Sequence, residues 1–217
     1  MIVCMFLDTD DQRYFSDEAR RVIRGLADST EAEVRALLPG LPEEIELAVQ
    51  SGDQVIPETG AGGMAFSPLR VVLVLDPSRP EGVASIARTQ LRQFLFHELH
   101  HLARGWVVSG GPPRERFIDG VVAEGIATAF ERDFGGGRPL WGEYPAEARE
   151  WVLELLELAP TAPYVHWMIQ HPDGRRWIGY RAGTYIADGA IAASGRSAAE
   201  LVQTPVRDLL TLAGFEM

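Results

Sequence analysis

Residues 83–104 read VASIARTQLRQFLFHELHHLAR and are followed by Gly105. Leu91, Leu95, Leu99 and Leu102 recur at three- and four-residue steps, the spacing of one helix face. A glycine just past Arg104 suits a left-handed helix stop. The pattern predicts a helix over about Val83 to Arg104. Inside it lies His97-Glu98-Leu99-His100-His101. His97 and His101 are four apart, so their side chains lie one turn above the other. Two imidazoles so placed can ligate one zinc ion. Glu98 sits one step round the helix, beside a metal-bound water rather than on the metal. There it can take the water's proton and later hand it to a leaving amine. His100 is turned by roughly 60° or more from the His97–His101 line. It reads as a supporting or structural residue.

Hydrolytic zinc sites use three protein ligands and keep one position open. His166, His171 and many acids lie downstream. The best candidate is Glu124. It falls on a predicted helix of about Arg114 to Phe134, introduced by Pro112-Pro113 and stopped by Gly135-Gly136-Gly137. Phe117, Val121, Glu124 and Thr128 share one face of that helix, which is apolar or weakly polar apart from the glutamate. A carboxylate facing inward is costly unless something pairs with it, and a metal ion does so. Gly125, Ala127 and Ala129 allow another helix to approach closely. Glu115 and Glu131 read as solvated.

These residues carry a resemblance. His97-Glu98-Leu99-His100-His101 with Arg104, then Glu124-Gly125-Ile126-Ala127, then Trp177-Ile178-Gly179-Tyr180, resembles a bacterial family of predicted zinc-dependent proteases of the gluzincin group, a domain of unknown function. The resemblance spans the last two-thirds of the chain. It implies an α+β, zincin-like fold. A small N-terminal α/β lobe (1–80), with a short sheet packed on the active-site helix, precedes a mainly helical lobe (81–217) in one domain. It implies Zn²⁺ on His97, His101 and Glu124, with Glu98 activating zinc-bound water to cut peptide or protein substrates. Two positions depart from the family pattern. Gly183 is followed by Thr184, with the tyrosine at Tyr185. Thr128 stands where better-known gluzincins carry an Asp that orients the first histidine, and a hydroxyl bonds an imidazole N–H only as a neutral acceptor.

Amide hydrolysis also needs a donor for the charge that develops on the carbonyl oxygen. Tyr180, Tyr185, Arg181, His166 and His171 are available, and Tyr180, within the matching motif, is the first choice. Two further readings stand beside the peptidase. One is a non-catalytic binding protein stabilised by its metal. The other is a protease held latent by a partner or by a plug over Pro160 to Trp177.

Working outward, Ile2 to Leu7 reads as a buried strand stopped by Asp8. Asp17 to Leu38 reads as an amphipathic helix. Thr30 and Glu33 fit a capping box that favours a break near Asp28-Ser29. Ile45 to Gln50 alternates weakly, as a strand does. Gly52 to Pro68 reads as a loop or irregular hairpin, and its glycine-rich part, Glu58 to Ser67, is either a surface loop or an edge on which a peptide adds as a strand. Arg70 to Leu75, RVVLVL, is the clearest strand, buried on both faces. Further helices are expected over Ala146 to Leu158, Gly183 to Ala193 and Pro205 to Leu212. The stretch from Pro160 to Trp177 reads as irregular but packed, because Tyr164, Trp167 and Trp177 want burial.

The chain has 217 residues, with 20 basic and 31 acidic side chains and a net charge of −11. Such acidity disfavours nucleic acid and anionic membranes as partners. No apolar run reaches membrane-spanning length, and the N-terminus makes a poor secretory signal. Cys4 is the single cysteine, which leaves no internal disulfide and no cysteine zinc cluster. A cytoplasmic setting is expected.

Overall fold

The computed structural model describes residues 1–7, 14–111, 113 and 115–216. Asp8, Pro112 and Arg114, where a strand end and a helix start were expected, lie outside them. The chain forms two compact units, Met1–Gly111 and Pro112–Met217.

The first unit runs β1 (Ile2–Leu7), α1 (Asp17–Leu37), β2 (Ile45–Ser51), β3 (Ala61–Ser67), β4 (Arg70–Leu75) and α2 (Gly82–Arg104). The strands form one sheet in the order β1-β2-β4-β3. β1, β2 and β4 are parallel, and β3 joins β4 antiparallel at the edge. Parallel neighbours need a long crossover, and α1 supplies it between β1 and β2. α1 packs against β1 and α2, while α2 packs against β3 and β4. Their core takes in Ile45, Leu47 and Val49 from β2 and Val71, Leu73 and Leu75 from β4, all buried. Leu91, Leu95, Leu99 and Leu102 of α2 are buried as their spacing predicts, and Gly105 closes the helix in the left-handed region.

α1 is a single helix, not two. Its buried stripe of Ala19, Ile23, Ala27, Thr30 and Val34 runs through the expected break. Thr30 therefore faces the core and caps nothing. Glu33 instead binds the Arg92 guanidinium of α2 through both carboxylate oxygens, at 2.5 and 2.8 Å. A continuous apolar face outweighs a local capping pattern, because tertiary burial supplies most helix stability. Beside Thr30, the Glu31 carboxylate accepts from the Ile2 N–H and from Arg35 Nε, both at 2.6 Å. Burial pushes this carboxyl upward, but its hydrogen bonds with the N-terminal ammonium, Arg35 and Ile2 outweigh that and hold it below the ordinary range.

The glycine-rich stretch is an irregular hairpin. β3 pairs with β4 with a shift between Ala65 and Ser67. Gly63 has φ +150°, and a Cβ there would lie 1.9 Å from the Val72 carbonyl oxygen and 2.8 Å from the Phe94 ring. Only glycine lets the strand cross so close to α2.

The second unit runs α3 (Phe117–Phe134), α4 (Ala148–Leu156), α5 (Tyr164–Met168), α6 (Ile178–Ser194) and α7 (Val206–Leu212). Asp119 caps the start of α3 by accepting from Arg116. The Arg116 N–H donates to the Asp119 carboxylate at 3.0 Å, and the Arg116 guanidinium reaches its other oxygen at 2.6 Å. α3 and α6 form the central pair, and α4, α5 and α7 surround α6. A Cβ on Gly125 would lie 1.9 Å from the Gly183 carbonyl carbon, so the two backbones touch. α6 begins five residues earlier than Gly183, because Trp177, at φ +59°, turns the chain into the helix at Ile178. A Cβ on Gly179 would lie 2.0 Å from the Met168 sulfur. α5 thus plugs Met168 into the notch at Gly179 and leaves Tyr164 43% exposed, against the expectation that it is buried. Trp177 is buried as expected. Among the described residues no helix is long and apolar enough to cross a membrane.

Substituting Gly125→Ala places a methyl group inside the Gly183 backbone. The loss should exceed the ~1–3 kcal/mol of ordinary core overpacking, since backbone cannot change rotamer. Urea unfolding measures it, and a loss below ~1 kcal/mol would mean that α3 and α6 separate at little cost.

Candidate metal centre

α2 is buried from Leu95 to Leu102, and its polar residues there lie largely out of bulk water. His97, Glu98, His100 and His101 are all buried. His97 Nε2 and His101 Nε2 face each other at 3.0 Å, with the rings at 76°. The four-residue step produces this directly, since both side chains lean toward the helix N-terminus from one face. Two imidazole nitrogens about 2.0–2.1 Å from a tetrahedral zinc would themselves be about 3.3 Å apart, close to this spacing.

Glu98 lies one step round α2 from His97. Its Oε2 accepts the Ala65 N–H of β3 at 2.7 Å, in the interior of the first unit. This bond fixes one carboxylate oxygen and leaves Oε1 for other contacts. His100 is fully buried and lies outside the His97–His101 pair.

On α3, Phe117, Val121, Glu124 and Thr128 are all buried, as their shared face predicts. His97, His101 and Glu124 make a buried group that could hold a metal ion, with one ligand atom of each within 4.8 Å of the others. Two imidazoles and a carboxylate are a zinc donor set, as in hydrolytic His₂Glu sites. The residues therefore fit the metal implied by the sequence.

One expectation on α3 fails. Glu131 is buried, not solvated. α3 is buried nearly all round from Phe117 to Glu131, so the usual rule that one helix side meets water does not apply. The Thr128 hydroxyl is buried and meets no hydrogen-bond partner among the described residues.

The remaining candidates have distinct surroundings. Tyr180 lies against Trp141 (5.8 Å between ring centroids) and Trp177 (6.0 Å), and the two indoles touch at 5.6 Å. Trp141 escaped the sequence reading because it sits in an aperiodic loop, where an aromatic carries no facial information. Tyr185 packs on Tyr144 and Phe215. His166 is exposed on α5. His171 stacks on Trp167 and contacts the Asp173 carboxylate at 2.9 Å. Arg181 keeps its Nε buried, without a hydrogen-bond partner among the described residues. The Cys4 thiol is pushed up to about 11, first by burial and then by Asp28, so thiolate chemistry at neutral pH is closed to it.

Residues 18–211 match the model of a family described as "Predicted Zn-dependent protease (DUF2268)", and the chain belongs to that family. No curated protein and no solved structure matches it.

Purified protein should carry about one zinc per chain, following the three-ligand count. Metal analysis should find it lost in His97→Ala and weakened in Glu124→Ala. Full zinc content in His97→Ala would remove the site.

Proposed function

We propose that this chain is a zinc-dependent peptidase in which Glu98 is the general base. The observation that carries the reading is the buried group of His97, His101 and Glu124, whose two histidines share α2 with Glu98. These three side chains would hold the zinc, which when bound polarises a carbonyl and lowers the pKa of water.

The chain's own groups supply the proton handling. Glu98 takes a proton from the attacking water as its oxygen bonds to the peptide carbonyl carbon. It returns that proton to the amine nitrogen as the C–N bond breaks, so it ends as it began. The Ala65 N–H holds one Glu98 oxygen at 2.7 Å, which fixes the other before substrate arrives. Such preorganisation lowers the reorganisation needed at the moment of reaction. Tyr180 donates its hydroxyl to the developing oxyanion, its ring steadied by Trp141 and Trp177. The β3 edge receives the substrate main chain. The substrate class is peptide or protein; the acidic net charge of −11 sets nucleic acid and anionic membranes apart as partners. A cytoplasmic setting agrees with the free thiol of Cys4.

Glu98→Gln keeps the shape and should retain zinc and fold while losing peptide hydrolysis. Activity on a peptide library, read beside metal content, separates this from a metal-stabilised binding protein, in which Glu98→Gln changes nothing measurable. Tyr180→Phe should lower kcat by about 10²–10³ with zinc unchanged, the usual loss for one oxyanion donor. Normal turnover with reduced stability would return Tyr180 to the core.

A further inference from the structure

The outer edge of β3 has a complete hydrogen-bond account. Odd-numbered residues of this strand turn their main-chain groups away from β4, as the partners of Ala61 and Ala65 show. The Ala61 N–H goes to the Thr59 hydroxyl at 3.2 Å, and its carbonyl accepts the Ile56 N–H at 3.0 Å. The Ala65 N–H goes to Glu98 at 2.7 Å. The Ala65 carbonyl accepts the Val108 N–H at 3.1 Å, and the next carbonyl, Phe66, accepts the Ser109 N–H at 2.8 Å. The shift after Ala65 brings both carbonyls to consecutive donors of the segment that follows α2. Between these closed positions stands Gly63, partly exposed, and no hydrogen bond reaches its edge-facing N–H and C=O among the described residues.

From this account we infer that β3 pairs with a single substrate residue, at Gly63, and that the Val108–Ser109 strap limits the enzyme to short peptides or chain ends. The inference rests on the peptidase reading and names its substrate class. One antiparallel residue opposite Gly63 exchanges both main-chain bonds with it. That position is two residues, about 7 Å, along the strand from Ala65, whose N–H holds the Glu98 carboxylate. Beyond Ala65 the chain's own strap fills the edge, and beyond Gly63 the other way the Ile56–Thr59 turn fills it. A longer peptide finds no further main-chain partner in either direction. Extra length then adds ordering cost without added bonds.

The test uses one core sequence in two lengths, as blocked tripeptides and as decapeptides containing it. Binding of fluorescein-labelled versions to zinc-loaded Glu98→Gln protein is read by anisotropy. The decapeptides should bind no more than about threefold tighter than the tripeptides, where extended pairing would give tenfold or more. With wild-type enzyme, kcat/KM should favour the tripeptides by about tenfold. Val108→Pro and Ser109→Pro each remove one strap donor at an exposed position. Either should narrow the length preference, read as the ratio of kcat/KM for the two lengths. Tenfold tighter binding of decapeptides by the Glu98→Gln protein, or their internal cleavage by wild type as fast as the tripeptides, overturns the inference. Absence of cleavage at both lengths sinks the peptidase reading instead, and the binding ratio still decides the edge.

Discussion

The deepest constraint in the first unit is that ionisable side chains are buried on a helix that is otherwise core. α2 keeps His97, Glu98, His100 and His101 out of water in its last turns. Burial of polar groups is tolerated only when each finds a partner, since an unpaired one costs about 1–3 kcal/mol and an unpaired charge more. Much of the local architecture answers that demand. β3 bends across α2 at Gly63, where no side chain fits, and brings the Ala65 N–H to Glu98. The two histidines turn their Nε2 atoms to each other. A cation between them satisfies two lone pairs that a single shared proton satisfies less well.

The second unit solves a different problem, the close approach of two helices. Gly125 and Gly183 let α3 and α6 touch backbone to backbone. Glu124, next to Gly125 on α3, is buried beside that contact. Gly179 does the same for Met168, and the strained turn at Trp177 starts α6 with Tyr180 in its first turn. The residues of the Trp177-Ile178-Gly179-Tyr180 string thus have separate physical tasks. One turns the chain, one makes room, and one stacks on a loop tryptophan.

The β3 edge joins structure to specificity. An exposed edge strand is a template for any passing peptide, and proteins usually blunt it. Here the blunting is unequal. Among the described residues, side chains and returning loops satisfy every edge position but Gly63. On the peptidase proposal, the same device that blunts the edge would also set how much main chain a substrate can present.

Much of this was readable from residue order. The Leu91–Leu102 stripe, the four-residue His step, the inward face of α3 and the RVVLVL strand depend on helix and strand periodicity, which are local properties of the backbone. The misreadings share one cause. The α1 break, the solvated Glu131, the buried Tyr164 and the late start of α6 follow from neighbours in sequence, and neighbours in space decide each otherwise. A continuous core stripe overrode the Thr30 cap, all-round burial enclosed Glu131, Met168 took the place expected for Tyr164, and a left-handed Trp177 began a helix without an ordinary cap. Trp141 beside Tyr180, and Val108 on the β3 edge, left no trace in the order of residues at all. Sequence alone determines what repeats along the chain; which distant backbone groups find each other depends on how strands and helices close upon one another, and only the folded structure decides that.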